Sequence, residues 1–239
     1  MSGHDAIRGF VYQTIASVVH ALVDSSWEYL TIEPATENEK IDMLWEDGAG
    51  LKKCQQVKSS INNFTKPEML RWLEAMVGDV PDAKEYELVL IGTCSDAVND
   101  FVKRVNNMES AELGSTLDPF ADKIQIELMI FNPSMLQGHV QNEVSRFLSE
   151  QHLHPNHQTV VQVTGGLLYQ FLQFAMFSTR ASKAQWTEEL LRWVTSNYKR
   201  GLNLEVRQDR LAIGIYLRGD RKLVKTSNPF RLQLKKLIG

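Results

Sequence analysis

Between residues 27 and 60 the chain reads as three short strands, and this stretch constrains the fold more than any other. Trp27-Glu28-Tyr29-Leu30-Thr31-Ile32-Glu33 is followed by Ile41-Asp42-Met43-Leu44-Trp45. After a Gly48-Ala49-Gly50 turn comes Leu51-Lys52-Lys53-Cys54-Gln55-Gln56-Val57-Lys58. β-branched and aromatic residues between turn signals predict strands over about 27–33, 40–46 and 51–59. Period-two alternation puts Gln56 and Lys58 on one face, with Val57 pointing into the apolar layer. Asp42 lies near the start of the neighbouring strand. An acid on one strand thus stands beside a Gln-x-Lys triplet on its hairpin partner.

The flanking segments supply the layers. Ile7, Phe10, Val11, Ile15, Val18, Val19 and Leu22 recur at helical spacing, predicting a largely buried helix over 5–23. Thr65 with Glu68 forms a capping-box signature, with Pro67 in the first turn, so a second helix runs to about Val77. Tyr86 to Thr93 is nearly continuous in apolar residues and reads as a central strand buried on both faces. A helix over 95–107, a strand over 123–131 and a helix from a Ser134 cap to Glu150 follow. This order predicts a three-layer α/β/α domain with a mixed sheet over 1–155. Beyond it, 156–239 reads as a smaller subdomain: a strand over 158–163, a Gly165-Gly166 turn, helices over 166–178 and 184–198, and a hairpin arm over 203–217.

The 239 residues, 43% hydrophobic and 23% charged, suffice for one large domain or two small ones and argue against extensive disorder. No apolar run approaches the roughly 18–20 residues that span a bilayer, and no signal-peptide pattern opens the chain. A cytoplasmic protein without membrane contact is expected. Cys54 and Cys94, in separate apolar runs, read as reduced core residues. No Gly-x4-Gly-Lys-Ser/Thr occurs, which argues against ATP hydrolysis by this chain. The net charge of −3 hides an asymmetry: from Lys199 onward eleven Lys/Arg stand against three acidic residues. A basic end on an acidic body can grip a polyanion or dock another surface.

Phosphodiester hydrolysis needs a metal on the phosphoryl oxygens, an activated water and a cation for the developing charge. Magnesium prefers oxygen ligands. Asp42 offers an anchoring carboxylate and Gln56 a side-chain carbonyl, so these two are the expected ligands of Mg2+ or Mn2+. Lys58 can orient the water or stabilise the transition state, and Glu33 can add a second carboxylate. Gln13 fits either an orienting partner of the ligands or a structural helix glutamine. Lys52 and Lys53 are candidate phosphate contacts, as are Arg207, Arg210, Arg218, Arg221, Lys222 and Lys225 in the basic arm. Glu46 and Asp47 fit turn chemistry, Trp186 and Trp193 fit core or interface anchors, and His152, His154 and His157 fit a surface linker.

These motifs, in this order, resemble the PD-(D/E)xK phosphodiesterase superfamily. The likeness is to the nuclease modules of bacterial antiphage effectors: the CBASS double-stranded DNA endonuclease and the N-terminal nucleases of STAND-type antiviral NTPases. Gly9-Phe10-Val11-Tyr12-Gln13 matches the opening helix signature, Glu33 and Ile41-Asp42-Met43 the acidic strand, and Gln56-Val57-Lys58-Ser59 the closing motif. The resemblance covers roughly residues 5–150. It implies a restriction-endonuclease-like fold and a magnesium-dependent endonuclease that cuts double-stranded DNA, with catalytic residues Glu33, Asp42, Gln56 and Lys58. The usual acid of the superfamily is Gln56 here, as in this nuclease subgroup. The segment from Pro34 to Ile41 is longer and more polar than the pattern. Cutting both strands most simply takes a symmetric homo-oligomer. The end at Lys235-Lys236-Leu237-Ile238-Gly239 fits the front part of a longer protein with a fused or associated sensor or NTPase module. The rival expectation is a catalytically inactive nucleic-acid-binding or assembly/adaptor module on the same fold.

Overall fold

The computed structural model describes residues 3–195, apart from 39, 109–112, 130–132, 154, 189, 193 and 194. The chain divides into two units, Met1–Thr187 and Glu188–Gly239, and the elements below belong to the first. They run in the order α1 (Gly3–Val23), β1 (Trp27–Ile32), β2 (Met43–Asp47), β3 (Lys52–Ser59), α2 (Lys66–Asp79), β4 (Glu85–Ile91) and α3 (Asp96–Asn106). A 3-10 turn at Asp118–Lys123 leads into β5 (Ile124–Met129), α4 (Pro133–Glu150), α5 (His157–Met176) and β6 (Arg180–Ser182).

The sheet is mixed, in the order β5-β4-β3-β2-β1-β6. β1, β2 and β3 form the expected antiparallel meander, whereas β4 runs parallel to both β3 and β5. β4 is the central strand that its sequence implied, with Leu88, Val89, Leu90 and Ile91 fully buried. α2 and α3 cover one face. Met69, Leu73, Met76, Phe101 and Val105 pack there against Tyr86, Leu88, Leu90 and Ile126. Alternation turns Glu87 and Val89 to the other face, where α1 lies: Ser17 Oγ donates to Met43 Sδ and His20 reaches Glu87. On that side Trp27 meets Trp45 and Trp186, and Trp186 meets Phe147 and Phe171, with ring centroids 5.5–6.2 Å apart. Trp186 is therefore a core anchor.

Local chemistry sets the element ends. The Glu68 carboxylate accepts from the Thr65 N–H and completes the capping box of α2, with Pro67 in the first turn. Ser95 caps α3 by accepting from the Val98 N–H.

Five readings of the sequence need correction. The strand expected over 158–163 and the turn expected at Gly165-Gly166 are both part of the continuous helix α5. Its start is fixed by Asn156, whose side chain accepts from the Thr159 N–H. Its apolar face, including Val160, Val163, Leu167 and Phe171, is buried, and this packing outweighs the strand preference of its valines and the cost of two glycines. The division expected near residue 155 falls within the first unit, because α5 packs on α1 and α4 and β6 pairs with β1. α4 starts at Pro133, so Ser134 lies inside the first turn rather than capping it. Glu46 sits in β2, bonded across β1 to Arg180 of the edge strand β6, while Asp47 does serve the turn by accepting from the Ala49 and Leu51 N–H groups. The hairpin arm expected over 203–217 lies outside the described residues, as do Arg207, Arg210, Arg218, Arg221, Lys222, Lys225, His154 and Trp193.

Candidate functional site

The meander delivers the sequence-predicted residues to one end of the sheet. Met43 pairs with Ile32 on one side and with Gln55 on the other. One step beyond the ladder, the Glu33 N–H donates to the Asp42 carbonyl at 2.8 Å, and the Asp42 N–H donates to the Gln55 carbonyl at 3.0 Å. Glu33, Asp42 and Gln56 thus stand in a row across three strands, with Lys58 two residues along from Gln56 on the same face of β3.

Asp42 carries the electrostatic signature of the site. Its Oδ2 accepts from the Val57 N–H at 2.6 Å. Burial nonetheless pushes its pKa up from 3.8 to about 6, with the Lys58 ammonium and the Val57 bond pulling the other way and the Glu33 charge adding to the rise. Lys58 and Glu33 thus lie near enough to Asp42 to act on its charge.

Gln56 is held from one side only. Its Nε2 donates to the Lys40 carbonyl at 2.6 Å, which orients the amide. Its Oε1 is buried and takes no hydrogen bond among the described residues. Leaving a buried carbonyl oxygen unsatisfied costs about 1–3 kcal/mol, so such an atom calls for an explanation. An oxygen-binding cation would supply its missing partner. The donor set is all oxygen, Asp42 carboxylate and Gln56 carbonyl with Glu33 beside them, and it fits Mg2+ or Mn2+ on chemistry.

Glu33 is fixed by backbone and helix together. Its φ of 49° lies in the left-handed region, which costs a non-glycine residue on the order of 1–2 kcal/mol. Gln13 on α1 donates from Nε2 to Glu33 Oε1 at 2.5 Å. Gln13 is itself buried, so it is not a surface glutamine, and its bond to Glu33 ties α1 to the end of β1.

The opposite face of β3 has a different character. Lys53, expected to touch phosphate, instead pairs with Glu87 at 2.9 Å and Glu85 at 3.5 Å. Burial works to lower its pKa, but Glu87, Glu85 and Asp24 together hold it above the ordinary value. Its charge is engaged within the protein. Lys52, which alternation returns to the Gln56 face, is partly exposed and reaches Asp82 at 3.6 Å. Gln55 Nε2 donates to Glu87 Oε2 at 2.6 Å and Gln55 Oε1 accepts from the Trp45 indole at 3.2 Å. His20 stands 2.9 Å from Glu127 and 3.6 Å from Glu87.

Sequence reasoning missed this network, whose members come from α1, β3, β4 and β5. The local signal was the placement of Glu87 within the largely apolar strand β4. His20, Glu87 and Glu127 form a group with metal-ligand spacing. However, Glu87 Oε2 already accepts from Gln55 and Lys53, and the Lys53 ammonium would repel an incoming cation. This group is better suited to joining α1 to the sheet than to holding an ion.

No protein-family model matches the chain, and no curated protein is similar to it in sequence. Its fold, however, is similar to solved Cap4 SAVED/CARF-domain containing receptors. The receptor from Acinetobacter baumannii aligns with 79% of this chain at a TM-score of 0.56 and 10% identity. The same receptor with the cyclic trinucleotide 3'3'3'-cAAA gives 0.55 over 78%, and the receptor from Moraxella osloensis gives 0.51 over 71% at 11% identity. The chain spans 44–47% of the length of these three structures. Among the described residues no helix is long and apolar enough to cross a membrane.

Proposed function

We propose that the chain is a divalent-metal-dependent endonuclease of the PD-(D/E)xK type that cuts double-stranded DNA in the cytoplasm as an effector of antiphage defence. The observation that carries this reading is the row of Glu33, Asp42, Gln56 and Lys58, with its raised carboxylate pKa and the unsatisfied buried oxygen of Gln56. The fold likeness to Cap4 receptors supports an antiphage setting, and the α/β layers suit a restriction-endonuclease-like domain. A symmetric homo-oligomer would present one site to each strand. A fused or associated sensor or NTPase module would supply the trigger.

In this reading Asp42 and Gln56 hold the Mg2+ or Mn2+, which supplies Lewis acidity at the phosphoryl oxygen. Glu33, steadied by Gln13, adds negative charge beside Asp42. Lys58 orients the attacking water and offsets the charge that develops on the phosphoryl group. An electrically neutral Gln56 leaves Asp42, with Glu33 beside it, as the negative charge of the ligand set.

The rival is a non-catalytic module, and the neutral amide at Gln56 favours it over an ordinary two-acid site. In that reading, binding of a cyclic oligonucleotide or of a partner replaces cleavage. Incubation with supercoiled plasmid in Mg2+ separates the two. Cleavage that EDTA stops and that Lys58→Ala lacks supports the nuclease. Absence of cleavage in Mg2+ and Mn2+ across plasmid and linear DNA would leave the non-catalytic module.

A further inference from the structure

The long polar segment between Glu33 and Asp42 is tied to one side chain. Asp79 closes α2, and its carboxylate accepts from four donors of that segment. Oδ2 takes Thr36 Oγ1 at 2.6 Å and the Lys40 N–H at 3.0 Å. Oδ1 takes the Asn38 N–H at 2.9 Å and, more weakly, Asn38 Nδ2 at 3.5 Å. An acid at a helix C-terminus opposes the helix dipole, typically by about 0.3–1 kcal/mol, and α2 has no basic residue in its last turn to offset it. Burial works to raise the Asp79 pKa, yet the donors from Thr36, Asn38 and Lys40 outweigh it and hold the carboxyl below its ordinary value. The charge is thus kept in place by the segment it binds.

The clamp ends where the site begins. Lys40 donates its N–H to Asp79 and accepts from Gln56 Nε2 through its carbonyl. That second bond fixes the Gln56 amide, whose Oε1 is left without a partner, and Asp42 follows Lys40 two residues later. We infer that Asp79 is a positioning residue that, through the backbone of Lys40, sets the orientation of Gln56 and Asp42 toward the metal. This rests on the metal-dependent reading above. It also accounts for the length and polarity of residues 34–41, which supply the donors that one carboxylate needs.

The test compares the wild-type chain with Asp79→Ala and Asp79→Asn in two measurements. Hydrogen exchange reads the amides of Asn38 and Lys40, and calorimetric titration with Mn2+ reads the cation site. Removal of an outer partner of a metal ligand typically weakens affinity by about 10–100-fold. The expected result is faster exchange at both amides and Mn2+ affinity reduced at least about tenfold. Asp79→Asn, which keeps one acceptor oxygen, should fall between. If Asp79→Ala does not fold, Thr36→Val removes one bond of the clamp and should show a smaller shift in the same direction. Unchanged Mn2+ affinity in a folded variant with released amides overturns the positioning role alone. Failure of wild type to bind Mn2+ overturns the metal reading, and the positioning role with it.

Discussion

Strand β3 carries buried polar residues on both of its faces, and the two faces treat them differently. On the α1 side, Glu87 receives Gln55 and Lys53, and Gln55 in turn receives the Trp45 indole. On the other side, Asp42 is left with a pKa near 6 and Gln56 Oε1 with no partner among the described residues. Matched polar groups join elements together. Unmatched ones cost stability, and a fold that retains them at one end of its sheet points to a ligand that completes them. Buried polar atoms without a hydrogen bond also occur on the α1 side, at His20 Nε2, Glu127 Oε2 and Trp186 Nε1. What separates the candidate site is an unsatisfied oxygen on Gln56 next to the strand that carries a carboxylate of raised pKa.

The comparison can be broken most forcefully at Lys58. If it serves the reacting phosphate, Lys58→Ala should lower plasmid cleavage by at least about 10³-fold while leaving the urea midpoint nearly unchanged. A large drop in the midpoint would instead make Lys58 part of the structural network. Lys53→Met should do the reverse. Removing one partner of a buried pair leaves Glu87 uncompensated, so stability should fall by about 3 kcal/mol in urea unfolding with cleavage per folded molecule retained.

Asp42→Asn sharpens the contrast by a smaller amount and with a defined pH dependence. The folded protein holds the Asp42 proton to about pH 6, whereas the unfolded chain releases it near 3.8. Between those values the native state binds more protons, so the Asp42 contribution to stability falls as pH rises. Asp42→Asn keeps an acceptor for the Val57 N–H and removes the charge. It should therefore stabilise the fold by at most roughly 3 kcal/mol above pH 6 and by little below pH 4, read as midpoint differences across a pH series.

The smallest effect concerns the basic arm. Replacing Arg207, Arg210 and Arg218 with Gln should reduce the salt dependence of DNA binding by roughly 0.9 log unit for each phosphate that is no longer neutralised. An unchanged slope with a shifted elution volume on a sizing column would assign the arm to an interface.

Much of this was legible because local pattern and tertiary packing agree. Alternation in β1 to β3, the capping box of α2 and the apolar run of β4 each reflect burial imposed within a few residues. The row of Asp42, Gln56 and Lys58 followed from strand periodicity and one hairpin. α5 was misread because Val160, Val161 and Val163 favour strands locally and Gly165-Gly166 suggests a break, while its packing partners lie far away in sequence. Asp79 was invisible for a related reason: its donors lie 39–43 residues away, and an acid ending a helix carries no local signal of a distant loop. His20, Glu87 and Glu127 come together only once α1 is laid on the parallel strands.

The central claim is that the unmatched end of the sheet awaits a cation. A carbon-13 titration of the Asp42 side-chain carboxyl, run with and without Mg2+, tests it at the atom concerned. The expected result is a midpoint near pH 6 without metal, falling by more than about one unit when Mg2+ saturates the site. A midpoint near 6 that Mg2+ and Mn2+ leave unmoved would contradict it.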